Sequence, residues 1–158
     1  MMYFEDIETG ARIELGSFAF SAEDIIRFAR DFDPQPFHLS EEGAAASHFG
    51  RLCASGWHTA AVWMKLMVTF QKSHARERLA SGLPLAKMGP SPGFDDLKWL
   101  KPVYAGDTIT YSSTITGKTE LKSKPDWGLA SMLNEGVNQS GDVVFSFVGH
   151  VFVERRPA

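Results

Sequence analysis

Hydrophobic alternation comes early in the chain, is lost over a long middle stretch, and returns for the last third. Between Ala11 and Phe20 the apolar residues Ile13, Leu15, Phe18 and Phe20 are separated by small or polar ones around Gly16, which predicts a first strand. Ser21 is a good N-cap for a helix with Glu23 and Asp24 in its first turn and Ile25, Ile26, Phe28 and Ala29 as its apolar stripe. That helix stops before Asp33-Pro34, and Ser40 can cap a short second one through the alanine run. From Ser55 to about Ala75 the pattern is helical but apolar on every side, with Trp57, Val62, Trp63, Met64, Leu66, Met67, Val68 and Phe70. A helix without a polar face is expected to be buried, and in a chain this short a curved sheet must wrap it. Lys72 to Arg78 suits a helix C-terminus emerging into solvent.

Leu79 to Gly93, rich in Gly and Pro, reads as an irregular connection, long enough to serve as a lid or a pocket wall. Strands are then expected at Phe94 to Trp99, Thr108 to Lys118, Trp127 to Val137 and Val143 to Glu154, separated by turn-forming clusters. The Thr108 strand has one wetter face, whereas VVFSFVGHVFV is apolar on nearly both, which suits a central or interface position. One strand, helices, and four consecutive strands make an α+β domain, 1–158, with an antiparallel sheet of about five strands curled around one helix.

Composition narrows the partners rather than the fold. The chain has 158 residues, 44% of them hydrophobic, enough for a sizeable core. A net charge of −3 from 16 basic and 19 acidic residues, without long blocks, leaves no basic footprint for nucleic acid. The single Cys53 has no internal disulfide partner, and the acidic start MMYFEDIETG is unlike a signal peptide. No stretch is apolar enough for a membrane span, so a cytoplasmic protein is expected.

The candidate chemistry lies in FARDFDPQPFHL, where Asp33 precedes His38 by five residues. Pro34 and Pro36 each fix φ and restrict the residue before them, so an extended, rigid turn is expected between the two groups. Such a turn can hold a carboxylate and an imidazole as an acid/base platform. Spacing alone equally allows a loop whose Asp is a cap and whose His is on the surface.

The run D-P-Q-P-F-H resembles the D-x-N-P-L-H signature of the MaoC-like dehydratases and R-specific enoyl-CoA hydratases, which have the hotdog fold. The likeness continues through Phe49 to Ser55-Gly56-Trp57, where that family usually has His-Gly. A second block, Leu97 to Ile109 (LKWLKPVYAGDTI), is similar to a family strand motif ending P-V-x-x-G-D. Two departures stand out: Gln35 in place of Asn, and Ser55 in place of His.

The resemblance implies reversible addition of water to a trans-2-enoyl thioester, giving the R-3-hydroxyacyl product. Asp33 and His38 would share the proton transfers around one water. The Gly56 N–H, at the start of the long helix, would stabilise charge on the thioester oxygen. The lesser alternative for Gly56 is helix packing against the sheet. Gln35, Ser55 and Trp57 are candidate substrate-binding residues, with Gln35 expected to bond backbone inside its turn. Trp57, Trp63 and Met64 could shorten an acyl tunnel if they face it, and Lys98 and Lys101 could meet the phosphates of coenzyme A.

No metal or cofactor is expected beyond the acyl-CoA or acyl-carrier thioester that serves as substrate. His48, His58, His74 and His150 are expected in packing or at the surface, and Cys53 as a buried inert thiol. A homodimer or larger homo-oligomer is expected, from the resemblance and the apolar last strand. A thioesterase on the same fold would want a carboxylate on the central helix, and no Asp or Glu occurs between Glu42 and Glu77. A non-catalytic domain that binds acyl thioesters would need neither Asp33 nor His38.

Overall fold

The computed structural model describes residues 2–157. Five strands form one antiparallel sheet: β1 (Arg12–Ala19), β2 (Gly93–Trp99), β3 (Thr108–Glu120), β4 (Trp127–Val137) and β5 (Val143–Glu154). Their order is β1-β3-β4-β5-β2, so the apolar β5 is a central strand, and β1 and β2 are the edges. The helices are α1 (Ala22–Phe32), α2 (Pro36–Leu39), α3 (Glu41–Ala45) and α4 (Gly56–Ala80). A curved sheet with α4 on its concave face is the hotdog arrangement expected from the resemblance.

Local chemistry sets the boundaries. Ser21 Oγ accepts from Asp24 N at 3.1 Å to start α1, and Ser40 Oγ accepts from Gly43 N at 3.0 Å to start α3. Pro34 and Pro36 do end α1, but the segment after them is not extended throughout. Pro36 occupies the first position of the one-turn α2, where its missing N–H costs nothing, so His38 sits on a helical turn.

The central helix runs five residues beyond the expected end at Ala75, because its basic last turns are still helical in solvent. Its burial is one-sided. His58, Thr59, Val62 and Met67 are buried against the sheet, while Trp57, Met64 and Val68 are exposed. An apolar surround thus reflects two different surfaces, a core face and an outward apolar face. The Tyr111 hydroxyl donates to Thr59 O at 3.0 Å and ties the helix to β3, within a core that includes Phe20, Ile25, Leu52, Ile109, Val144 and Phe145.

The connection after α4 is anchored. Gly89 N donates to Phe152 O, Glu154 N donates to Lys87 O, and Met88 bridges Val153, so this stretch is a wall along the end of β5 rather than a free lid. Beside it, between the middle of α4 and the sheet, lies a cleft of about 440 Å³. Trp63, Met67, Phe70, Ile115, Met132 and Phe147 are among its lining residues.

Candidate active site

The functional candidates converge at the N-terminus of α4. Asp33 is the C-cap of α1, and its Oδ2 lies 3.4 Å from His38 Nε2 on α2. Both side chains are largely buried. His38 Nδ1 is 2.7 Å from Cys53 O. A carbonyl only accepts, so Nδ1 carries a proton, and Nε2 is the nitrogen turned toward Asp33.

Burial by itself would raise the Asp33 carboxyl. Hydrogen bonds from Ser55 and Gln35, with the charge of His38 when protonated, outweigh it and hold the group below its ordinary value. Gln35 Nε2 donates to Asp33 Oδ1 at 2.8 Å, so this side chain serves the carboxylate and not the backbone bond expected of it. Only its main chain bonds within the turn, donating to Asp33 O and accepting from His38 N.

Ser55 is almost fully buried and has a double task. While it bonds Asp33, its Oγ also accepts from Trp57 N at 3.2 Å, and its carbonyl accepts from His58 N and Thr59 N. The Trp57 and His58 N–H groups, which a helix start leaves open, are thereby satisfied, and the Gly56 N–H remains without a partner among the described residues. The space beside the Gly56 Cα is occupied, however. A Cβ built there would fall 2.5 to 2.8 Å from the Trp99 indole. A valine at this position would therefore disturb packing as well as any ligand.

The second sequence block explains how these groups are held. Ala54 N donates to Val103 O at 2.7 Å, Ala105 N donates to Leu52 O at 3.0 Å, and Cys53 bridges Tyr104. The turn that follows is closed by Asp107 Oδ2, which accepts from Tyr104 N, and by Gly106 at φ +95°. The PVYAGD segment thus clamps residues 52–54, which present the Cys53 carbonyl to His38 and lead into Ser55.

The other candidates differ in their surroundings. Trp57 is exposed and packs edge to face on Trp99, with centroids 5.2 Å apart. Lys101 is paired with Asp142 at 2.6 Å, and Lys98 is on β2 opposite Ser146. Burial pushes the Cys53 thiol up to about 11. His48 is exposed, His74 stacks on Phe70, and His150 lies between Ser131 and Asp95 on the convex face, 2.9 Å from each. His58 stacks on Phe28 at 4.5 Å; burial lowers it to about 4, and its Nδ1 has no partner. Glu77 does lie on α4, in its last turns, roughly 30 Å along the axis from Gly56. Sequence reasoning missed Trp99, although it stands within the second block.

Known proteins agree with this architecture. A MaoC-like dehydratase from Rhodospirillum rubrum has a crystal structure that superposes with a TM-score of 0.84 at 40% identity, over all of both chains. An (R)-hydratase from A. caviae involved in PHA biosynthesis superposes with a TM-score of 0.65 at 21% identity, over 97% of this chain and 99% of that one, a likeness of fold. A mesaconyl-CoA hydratase from Cereibacter sphaeroides is 39% identical over 64 residues, which are 40% of this chain and 18% of that enzyme. The family model described as MaoC like domain matches residues 7–130. With that match over most of its length, and a sheet, central helix and turn arranged as above, the chain belongs to the MaoC-like domain family of hotdog hydratases and dehydratases.

Proposed function

We propose that the protein reversibly adds water to a trans-2-enoyl-CoA and forms the R-3-hydroxyacyl-CoA, with Asp33 and His38 as the acid/base pair. The reading is carried by one observation: a carboxylate held in its ionised form and an imidazole nitrogen face each other across 3.4 Å in a largely buried place. A donor able to bond both, a water giving one hydrogen to each, suits that arrangement. As the water oxygen bonds the β-carbon, one of its protons passes to the pair and the double-bond electrons move toward the α-carbon and thioester oxygen. The proton is then returned to the α-carbon. The Gly56 N–H is assigned to the thioester oxygen. The step consumes no oxidant and needs no cofactor.

The Rhodospirillum rubrum and Cereibacter sphaeroides likenesses support the class of reaction, and the second supports a coenzyme A thioester as substrate. The decisive assay offers short trans-2-enoyl-CoA substrates, resolves the 3-hydroxyacyl product on a chiral phase, and follows free thiol in parallel. R-product without thiol release is expected. Thiol release would instead point to a thioesterase, and no turnover on any enoyl thioester would point to a binding domain.

We also infer a homodimer through the β2 edge. That edge and the outer face of α4 expose Phe94, Trp99, Leu100, Trp57, Met64 and Val68 side by side, a patch suited to association. The expected interface differs from the apolar β5, which is already enclosed by β4 and β2. Sedimentation at micromolar concentration should give twice the chain mass, and a stable monomer would overturn the dimer.

A further inference from the structure

The pairing of β2 with β5 contains an irregularity that bears on the site. Asp95 pairs with Val148 and Lys98 with Ser146, so three steps on β2 match two on β5, and one extra residue is accommodated between them. Asp96 has φ +53°, the one positive φ outside glycine among the described residues. Because side chains alternate along a strand, one inserted residue reverses the facing of everything beyond it. Phe94 lies opposite Gly149 and Trp99 opposite Phe145, both on the concave side, although they are five positions apart. Without the bulge Trp99 would share the convex face with Asp95. With it, Leu97 packs on the core and the Trp99 indole lies against Gly56.

The place it reaches is the start of α4, next to the N–H that Ser55 leaves unpaired. Trp99 is only half-covered, at 44% exposure, and Trp57, at 55%, meets it edge to face. A group hydrogen-bonded to the Gly56 N–H must therefore lie beside these indoles. We propose that Trp99 is a specificity-determining residue: aimed inward by the Asp96 bulge, its indole walls the space beside Gly56 and confines the acyl group of the thioester to short chains. The proposal rests on the hydratase reading for the identity of the ligand, and on the bulge and the Gly56 contact for the residue. The flat, conjugated enoyl group of a four-carbon substrate can lie along an indole, whereas a longer chain leaving the same point meets Trp99 or Trp57.

The test compares wild type, Trp99→Ala and Trp99→Phe with four-carbon and eight-carbon trans-2-enoyl-CoA, with circular dichroism and thermal melting as checks on folding. Trp99→Ala should shift the ratio of kcat/KM toward the eight-carbon substrate by about tenfold or more, the scale on which apolar pockets discriminate by size. Trp99→Phe should lie between. Loss of folded protein lowers both rates together and leaves the ratio alone, so an unchanged ratio in either folded variant overturns the proposal. Binding of the unreactive butyryl-CoA and octanoyl-CoA, measured by calorimetry in the same proteins, separates this proposal from the hydratase reading. If wild type hydrates nothing but Trp99→Ala improves octanoyl-CoA relative to butyryl-CoA, the hydratase reading falls and the wall stands; if the two affinities keep their ratio, the wall falls.

Discussion

The start and the middle of α4 could hardly be less alike. At its start, Ser55, Asp33 and His38 are mostly buried polar groups, and each has a named partner. From Trp63 to His74 the same helix borders an open cleft of about 440 Å³, walled by methionines and aromatic rings. The cleft has the room, and the helix start has the chemistry. Burial without compensation would neutralise a carboxylate, so one kept ionised in a buried place marks the hydrogen bonds built around it.

Substitutions at the helix start should therefore dominate any effect on turnover. Asp33→Asn and His38→Gln should each lower hydration of a short enoyl-CoA about a thousandfold while leaving acyl-CoA binding and melting close to wild type. The double variant should be scarcely worse than either single one, since the two groups act as a unit. Independent, multiplying losses would separate them.

Ser55→Ala should have a smaller and more informative effect. It removes one bond to the Asp33 carboxylate and the cap on Trp57 N, and should cost roughly tenfold in turnover and about 1 kcal/mol in stability. The pH profile gives the sharper reading. A base works when ionised, so the acid limb of the rate falls as pH drops through the Asp33 pKa. Wild type should hold its rate to below the usual carboxylate range, and the variant should lose it at higher pH. An acid limb that does not move would detach Ser55 from Asp33.

The smallest expected effect on rate belongs to His58, which touches α1 and β1 but not the catalytic pair. The unfolded imidazole takes its proton near 6.5 and the buried one only near 4. Protons therefore favour unfolding in that interval: stability is full above pH 6.5 and falls by as much as about 3 kcal/mol as pH drops to 4. Asp33 has the same sign but acts only below its usual carboxylate range, so the two windows are distinct. His58→Phe should flatten the melting temperature between pH 6.5 and 4.5 and leave hydration at neutral pH near wild type. An unaltered slope would put the acid sensitivity elsewhere.

These contrasts also show what a sequence can disclose. Local signals read well: Ser21 and Ser40 are caps, Pro34 ends a helix, and period-two patterns locate all five strands. Asp33 and His38 could be singled out because one short segment carries both. What escaped was fixed by partners distant along the chain. The neighbours of β5, the bond from Gln35 to a carboxylate and the tie from Ser55 to Asp33 depend on which surfaces meet after folding. Trp99 escaped for a subtler reason: the bulge at Asp96 breaks the parity on which strand reading relies, and an aspartate is a weak flag for a positive φ.

The order β1-β3-β4-β5-β2 also bears on how the molecule is put together in time. β3, β4 and β5 form a meander joined by six and five residues, 121–126 and 138–142, whereas β1 must find β3 across 88 intervening residues, 20–107. Loop-closure entropy favours the meander as the early structure and leaves the two edge strands to dock later. Asp33 and His38 follow β1, and Trp99 ends β2. The proposed site is thus assembled from the late pieces, and a chain that has built most of its sheet can still lack the pair that would make it an enzyme.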